Sequence, residues 1–152
     1  MLTTKGSQAY KSHLNWVVVA KAGQMKSIDM FLNFPIMDMN RNSLWRQPER
    51  VGEMGIQKMN AFWGDESWRQ AAYGERETLF GPELFKQQSP AIVEAYRRRL
   101  QDVAGFGHVS RPLPMRNDQG ALIYYLLLAS KERVAEEIIE DIFRKYETRG
   151  IR

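Results

Sequence analysis

Hydrophobic and polar positions alternate most regularly over Ile28 to Phe34, with Ile28, Met30, Leu32 and Phe34 on one face and Asp29, Phe31 and Asn33 on the other. A period of two predicts a β-strand, and Pro35 ends it because proline cannot donate to a ladder. Upstream, Leu14, Trp16 to Val19 and Ala22 form a helical pattern behind Ser12, a candidate cap. Gly23 stands where a helix stop belongs. Residues 1–11 are expected to form a flexible terminus.

The pattern over 36–88 is less regular. Ile36 to Arg41 reads as a polar loop leaving the strand. Helical pieces are expected around Ser43 to Arg46 and Pro48 to Phe62, broken by Gly52 and Gly55. Asp65 can cap a short helix running from Trp68 to Tyr73. The tract Gly74 to Gln88 reads as a connecting loop anchored by Leu79, Phe80, Leu84 and Phe85. This whole region, 36–88, is expected to be a helical insertion against one side of a sheet.

The last third, 89–147, predicts helix, hairpin and helix. Ser89-Pro90 is a helix start, Ile92, Val93, Tyr96, Leu100 and Val103 recur at helical spacing, and Gly105 stops the run. Val109 to Met115 and Ala121 to Ser130 flank Asn117-Asp118-Gln119-Gly120, a hairpin turn. The final helix, Lys131 to Tyr146, is expected to bury Val134, Ile138, Ile139, Ile142, Phe143 and Tyr146. Glu140 with Arg144, and Asp141 with Lys145, supply i,i+4 pairs.

Pro112 and Pro114 are two apart, so their missing N–H groups fall on one side and make 109–115 an edge strand. Its partner, ALIYYLLLAS, is apolar almost throughout, as a strand covered on both faces requires. These patterns predict an α/β fold. Its three-stranded mixed sheet comprises strands 28–34, 109–115 and 121–130, the last central, with helices on both faces. A buried parallel strand so early in the chain lacks neighbours. The expectation is therefore a single partial domain over 1–152, the carboxyl-terminal half of a doubly wound domain.

Composition narrows the chemistry. The chain has 152 residues, 43% hydrophobic and 26% charged, as ordinary globular domains do. No run approaches the roughly 18 apolar residues of a membrane helix. MLTTKGSQAYK has no apolar h-region, so no secretory signal is expected and the expected location is cytoplasmic. With no cysteine, disulfides, thiol catalysis and thiolate metal sites are excluded. The two histidines, His13 and His108, are far apart in sequence, and no metal constellation is present. His108 also has no nearby carboxylate in sequence to support a general-base role. The net charge is +4. Lys131 to Glu147 holds six acids against four bases, which leaves about +6 on the rest.

Ligands of open α/β sheets sit beyond the carboxyl ends of parallel strands. That places Asp38, Asn40 and Arg41 as ligand-side candidates, with Arg41 able to contact an anion. Their plainer roles are helix capping and a surface ion pair. Arg97, Arg98 and Arg111, with Arg99 and Arg116, are candidate anion contacts. Three consecutive arginines, however, fan through roughly 200° of a helix, as a solvated face does. Trp63 and Trp68 read as packing anchors, and Met30, Met37, Met39, Met54 and Met59 as core or loop filler.

A final hairpin whose last strand inserts antiparallel beside a parallel strand is similar to the end of a class I methyltransferase-like fold. More narrowly, IDMFLNFP followed by MNR, FWGDESW, AIVEAYRRRL and GALIYYLLLAS resembles the three-Cys-motif partner family, over about Trp16 to Tyr146. In that family a glycine-rich turn after the first strand, an acid after the second and an Asp-Pro pair ending the fourth hold S-adenosylmethionine. This sequence carries none of these, and Gly105-Phe106-Gly107 follows a helix rather than a first strand. The resemblance implies a chain that begins at the helix after the fourth strand. No cofactor is expected for it alone, and S-adenosylmethionine only if the missing half is supplied.

Two functions follow as expectations. The first is a methyltransferase-like half, inactive alone or completed by a partner. The second is a non-enzymatic module that binds protein or nucleic acid through its basic surface. Both leave the 28–34 edge open, so a homo-dimer or a partner chain is expected to pair there.

Overall fold

The computed structural model describes residues 15–150. The expected flexible terminus, Ser12 and His13 lie outside them. Helix α1 (Trp16–Gly23) starts at Asn15, whose Oδ1 accepts from Val17 N at 2.9 Å. It leads to strand β1 (Met30–Phe34). Pro35 then opens a helix, α2 (Ile36–Asn42), where a polar loop was expected. Proline's fixed φ suits a helix start, and the spacing of Ile36 and Met39 buries both on one side. The segment Ser43 to Arg46 is not helical.

A 3-10 turn at Pro48–Arg50 precedes α3 (Glu53–Trp63), which begins after Gly52 and runs through Gly55. A Cβ on Gly55 would lie 2.0 Å from the Asn42 carbonyl oxygen, so this glycine lets α3 approach α2. Short helix α4 (Trp68–Ala72) follows. The tract expected to be a loop is instead a β-hairpin, β2 (Tyr73–Thr78) with β3 (Gly81–Lys86). Arg76 stands opposite Glu83 across it. Of the expected anchors, Leu79 and Phe80 form a fully exposed tip and Leu84 is exposed. The insertion 36–88 is thus helical only as far as Ala72.

Helix α5 (Ser89–Asp102) carries Pro90 in its first turn, as expected. The edge segment divides into β4 (His108–Val109) and β5 (Leu113–Arg116), both paired with β6 (Leu122–Ser130). At the break, Ser110 N donates to Leu128 O, and Leu128 N donates to Ser110 Oγ, each at 2.8 Å. A side chain thereby completes the ladder beside Pro112. In the turn, Asn117 Oδ1 accepts from Gln119 N and Ala121 N.

The order β1-β6-β4/β5 puts β6 in the middle, as expected. The sheet is antiparallel throughout, however, and not mixed. Because β6 runs against both neighbours, β1 and β5 share a direction without touching. A parallel pair would need a strand outside β1, and among the described residues there is none.

Helices α1 to α5 cover one face, where Leu32, Phe34, Tyr125 and Leu127 meet Trp16, Met59, Phe62, Trp63, Trp68 and Tyr96. Tyr96 lies at the centre, 4.8 Å from Phe62, 5.2 Å from Phe34 and 5.3 Å from Trp63 between ring centroids. Each fully buried side chain of this size contributes about 1.5–3 kcal/mol. On the other face lies α6 (Arg133–Gly150), where Ile139 and Phe143 pack on Leu113 and Leu128.

Only two of the six apolar residues expected to be buried on α6 are buried. Val134, Ile138, Ile142 and Tyr146 are 49–62% exposed. Of the expected pairs, Lys145 meets Asp141 at 3.0 Å, whereas Arg144 turns to Asp141 and Glu140 turns to Arg111.

Candidate functional site

The backbone of β1 defines the first site. In an antiparallel ladder alternate residues direct both N–H and C=O to the same neighbour. Leu128 directs both of its groups at Ser110, so Leu127 and Ala129 direct theirs at β1. Their partners Leu32 and Met30 point back at β6. Phe31 and Asn33 are left with N–H and C=O aimed at the open side. By the same alternation Pro114, opposite Tyr125, places its missing N–H on the outer edge of β5.

Phe31 is 58% exposed on the face that α6 shares. The direction of α6 explains why. Glu136, Glu140 and Glu147 contact His108 and Arg111 on the β4/β5 flank. At 100° per residue, Ile138 and Ile142 fall on the flank opposite those glutamates, and Val134 turns away from the sheet. The open strand edge thus carries an exposed aromatic ring on the face that α6 shares, and the apolar flank of α6 is exposed as well.

At the carboxyl end of β1, Asp38 and Arg41 share a shallow pocket of about 190 Å³ with Asn33 and Tyr124. Asp38 lies 3.8 Å from Lys58 Nζ and accepts from Asn42 Nδ2 at 2.8 Å. Arg41 is exposed, and its carbonyl accepts from Trp45 Nε1. Asn40 is separated from both. It points into a cleft of about 610 Å³ between α2, the 46–47 loop and the β2–β3 hairpin, where its Oδ1 accepts from Lys86 Nζ. Arg46 and Arg76 line that cleft too. Burial first, and the charge of Arg46 second, hold the Lys86 ammonium below its usual pKa.

Most of the candidate anion contacts are engaged by other groups of the protein. Arg97 donates to Val109 O and Ser110 O and pairs with Glu94 at 2.9 Å. Arg111 is held by Glu140 and Glu147. Arg99 donates to Trp63 O, pairs with Asp65 at 3.2 Å and lies 4.6 Å over the Trp16 ring. Arg116 donates to Gly120 O. Arg98 is exposed, with neither an ion pair nor a hydrogen bond shown for its side chain among the described residues. Trp63 and Trp68 are buried, donating to Ser67 Oγ and Asn60 Oδ1, as packing anchors do.

His108 Nδ1 lies 3.3 Å from Glu136 Oε1, a contact 28 residues apart that joins α6 to β4. Among the described residues no cluster of His, Asp and Glu could hold a metal, and no helix is long and apolar enough to cross a membrane. Sequence reasoning missed Lys86, Arg46 and Arg76. Arg46 and Lys86 are 40 positions apart, and the strand that brings them together lies where the sequence pattern predicts a loop. The chain matches no known family model, no curated protein and no solved structure.

Proposed function

We propose that this chain is the carboxyl-terminal half of a doubly wound, methyltransferase-like domain that resembles the three-Cys-motif partner family. It is inactive alone and is completed along β1 by a second copy or a partner chain. The open edge at Phe31 and Asn33, together with the exposed flank of α6, carries this reading. An edge with an apolar face is a template for another strand. The strand order also supports it. In the fold named, the terminal strand lies antiparallel between the fifth and sixth strands, as β6 lies between β1 and β5. S-adenosylmethionine would then bind only to the completed domain.

Size-exclusion chromatography with light scattering, and circular dichroism on the same peak, tests the pairing. A folded dimer is expected, or a monomer that becomes a 1:1 complex when a partner chain is co-expressed. A folded monomer at high concentration that captures no strand-adding partner would overturn the reading.

A further inference from the structure

We infer that the cleft between α2, the 46–47 loop and the β2–β3 hairpin binds a small ligand carrying a phosphate or pyrophosphate group. This site does not depend on pairing along β1.

Three cations, Arg46, Arg76 and Lys86, line the cleft against one carboxylate, Glu83. Glu83 compensates little of that charge. Its contact with Arg76 is 3.4 Å long, and both side chains are more than half exposed, a setting in which ion pairs are weak. Arg46 has no ion pair among the described residues. Lys86 is half-buried, and its one hydrogen bond there goes to the neutral amide of Asn40. An ammonium has three donors, so two remain for a ligand.

Lys86 and Arg46 are close enough for the charge of one to depress the ionisation of the other. Like charges held together in a partly desolvated cleft are costly unless an anion lies between them. A phosphate group would reverse that cost, and guanidinium forks suit its oxygens. The amino end of α5, with Ser89 on the cleft and no acidic residue in the first turn, adds a favourable dipole.

The walls are anchored before any ligand arrives. Leu44 is fully buried, the Tyr73 hydroxyl donates to Trp45 O, and Trp45 Nε1 donates to Arg41 O at 2.7 Å. Arg46 thus stands on a fixed loop. On the opposite wall, Gln87 N donates to Ala72 O at 2.7 Å and ties the hairpin to α4. A volume of about 610 Å³ suits a small molecule. A nucleic acid needs an extended basic track, and Arg97, Arg99 and Arg111 are already engaged elsewhere.

Calorimetric titration of the full chain with inorganic pyrophosphate tests the site, with an RNA oligonucleotide as a second titrant. Saturable 1:1 binding is expected, weakened about tenfold or more by either Arg46→Gln or Lys86→Gln and unchanged by Arg98→Gln. Arg46 is exposed, so its variant keeps the test valid even if Lys86→Gln disturbs the hairpin. No binding at millimolar pyrophosphate would overturn the assignment. So would equal weakening by Arg98→Gln, or RNA binding that pyrophosphate does not displace.

Discussion

Phe31 stands directly opposite Leu128 across the β1–β6 ladder, on the same face of the sheet, yet Leu128 is 6% exposed and Phe31 58%. The difference is one strand's width. Helix α6 is drawn toward the β4/β5 side by Arg111 and His108, so Ile139 and Phe143 cover Leu128 and leave Phe31 bare.

Phe31→Lys is therefore expected to leave folding stability within about 0.5 kcal/mol, as at other exposed sites, while shifting the chain from dimer or complex to monomer. Light scattering before and after the substitution checks this. An unchanged association state would place the contact elsewhere.

Tyr96 is the next case. It is fully buried among Trp16, Phe34, Phe62 and Trp63, and its hydroxyl has no hydrogen-bond partner among the described residues. Burial pushes its ionisation well above the usual tyrosine range. Tyr96→Phe removes an unsatisfied polar atom and keeps the ring, so urea unfolding should show stability unchanged or raised by about 1–3 kcal/mol. Tyr96→Ala should cost about 3–5 kcal/mol through the cavity it opens. A large loss in the Phe variant would mean that the hydroxyl is satisfied after all.

Legibility in the sequence followed periodicity. The alternation over Ile28 to Phe34 and the Asn-Asp-Gln-Gly turn each have a local physical cause and stand where expected, whereas of the paired prolines only Pro114 lies in the edge strand, which breaks before Leu113. The β2–β3 hairpin is hard to read because its strands hold Gly, Pro and five charged residues, and its central turn positions are the apolar Leu79 and Phe80, with the left-handed glycine, Gly81, only after them. The exposed flank of α6 was hidden for another reason. Apolar spacing tells which residues could be buried, but the flank that is covered depends on the contacts of Arg111 and His108, far away in sequence. The same is true of the cleft cations, which only the hairpin unites.

Gly23 is the last residue of α1, at the expected helix stop, and it also permits close packing. A Cβ there would lie 2.0 Å from the Ala104 carbonyl oxygen and 2.8 Å from its carbon, where α1 meets the end of α5. Alanine favours helices by about 1 kcal/mol over glycine, but backbone cannot yield by an ångström. Gly23→Ala should therefore destabilise by about 1–3 kcal/mol in chemical denaturation. Gly52→Ala, with nothing within 4 Å of the new Cβ, serves as the control and should be nearly neutral. Equal effects at the two positions would remove the packing explanation.

Tyr73 links stability to alkaline pH. Its hydroxyl donates to Trp45 O, and burial pushes its pKa up from 10.0 to about 12, against a smaller lowering by Arg69. Between pH 10.0 and about 12 the unfolded chain releases a proton that the folded chain keeps. The folded state then binds more protons, so stability is full below pH 10.0 and falls as pH rises through that window. Tyr96 and Tyr125, also raised by burial, add to the fall. Tyr73→Phe should lose about 1 kcal/mol at neutral pH with the hydrogen bond, and then decline less steeply than the parent above about pH 10. Urea midpoints of both proteins, measured from neutral pH to about pH 11, decide it. Parallel declines would show that the Tyr73 proton is not the one coupled to folding, and would shift the alkaline sensitivity to Tyr96 and Tyr125.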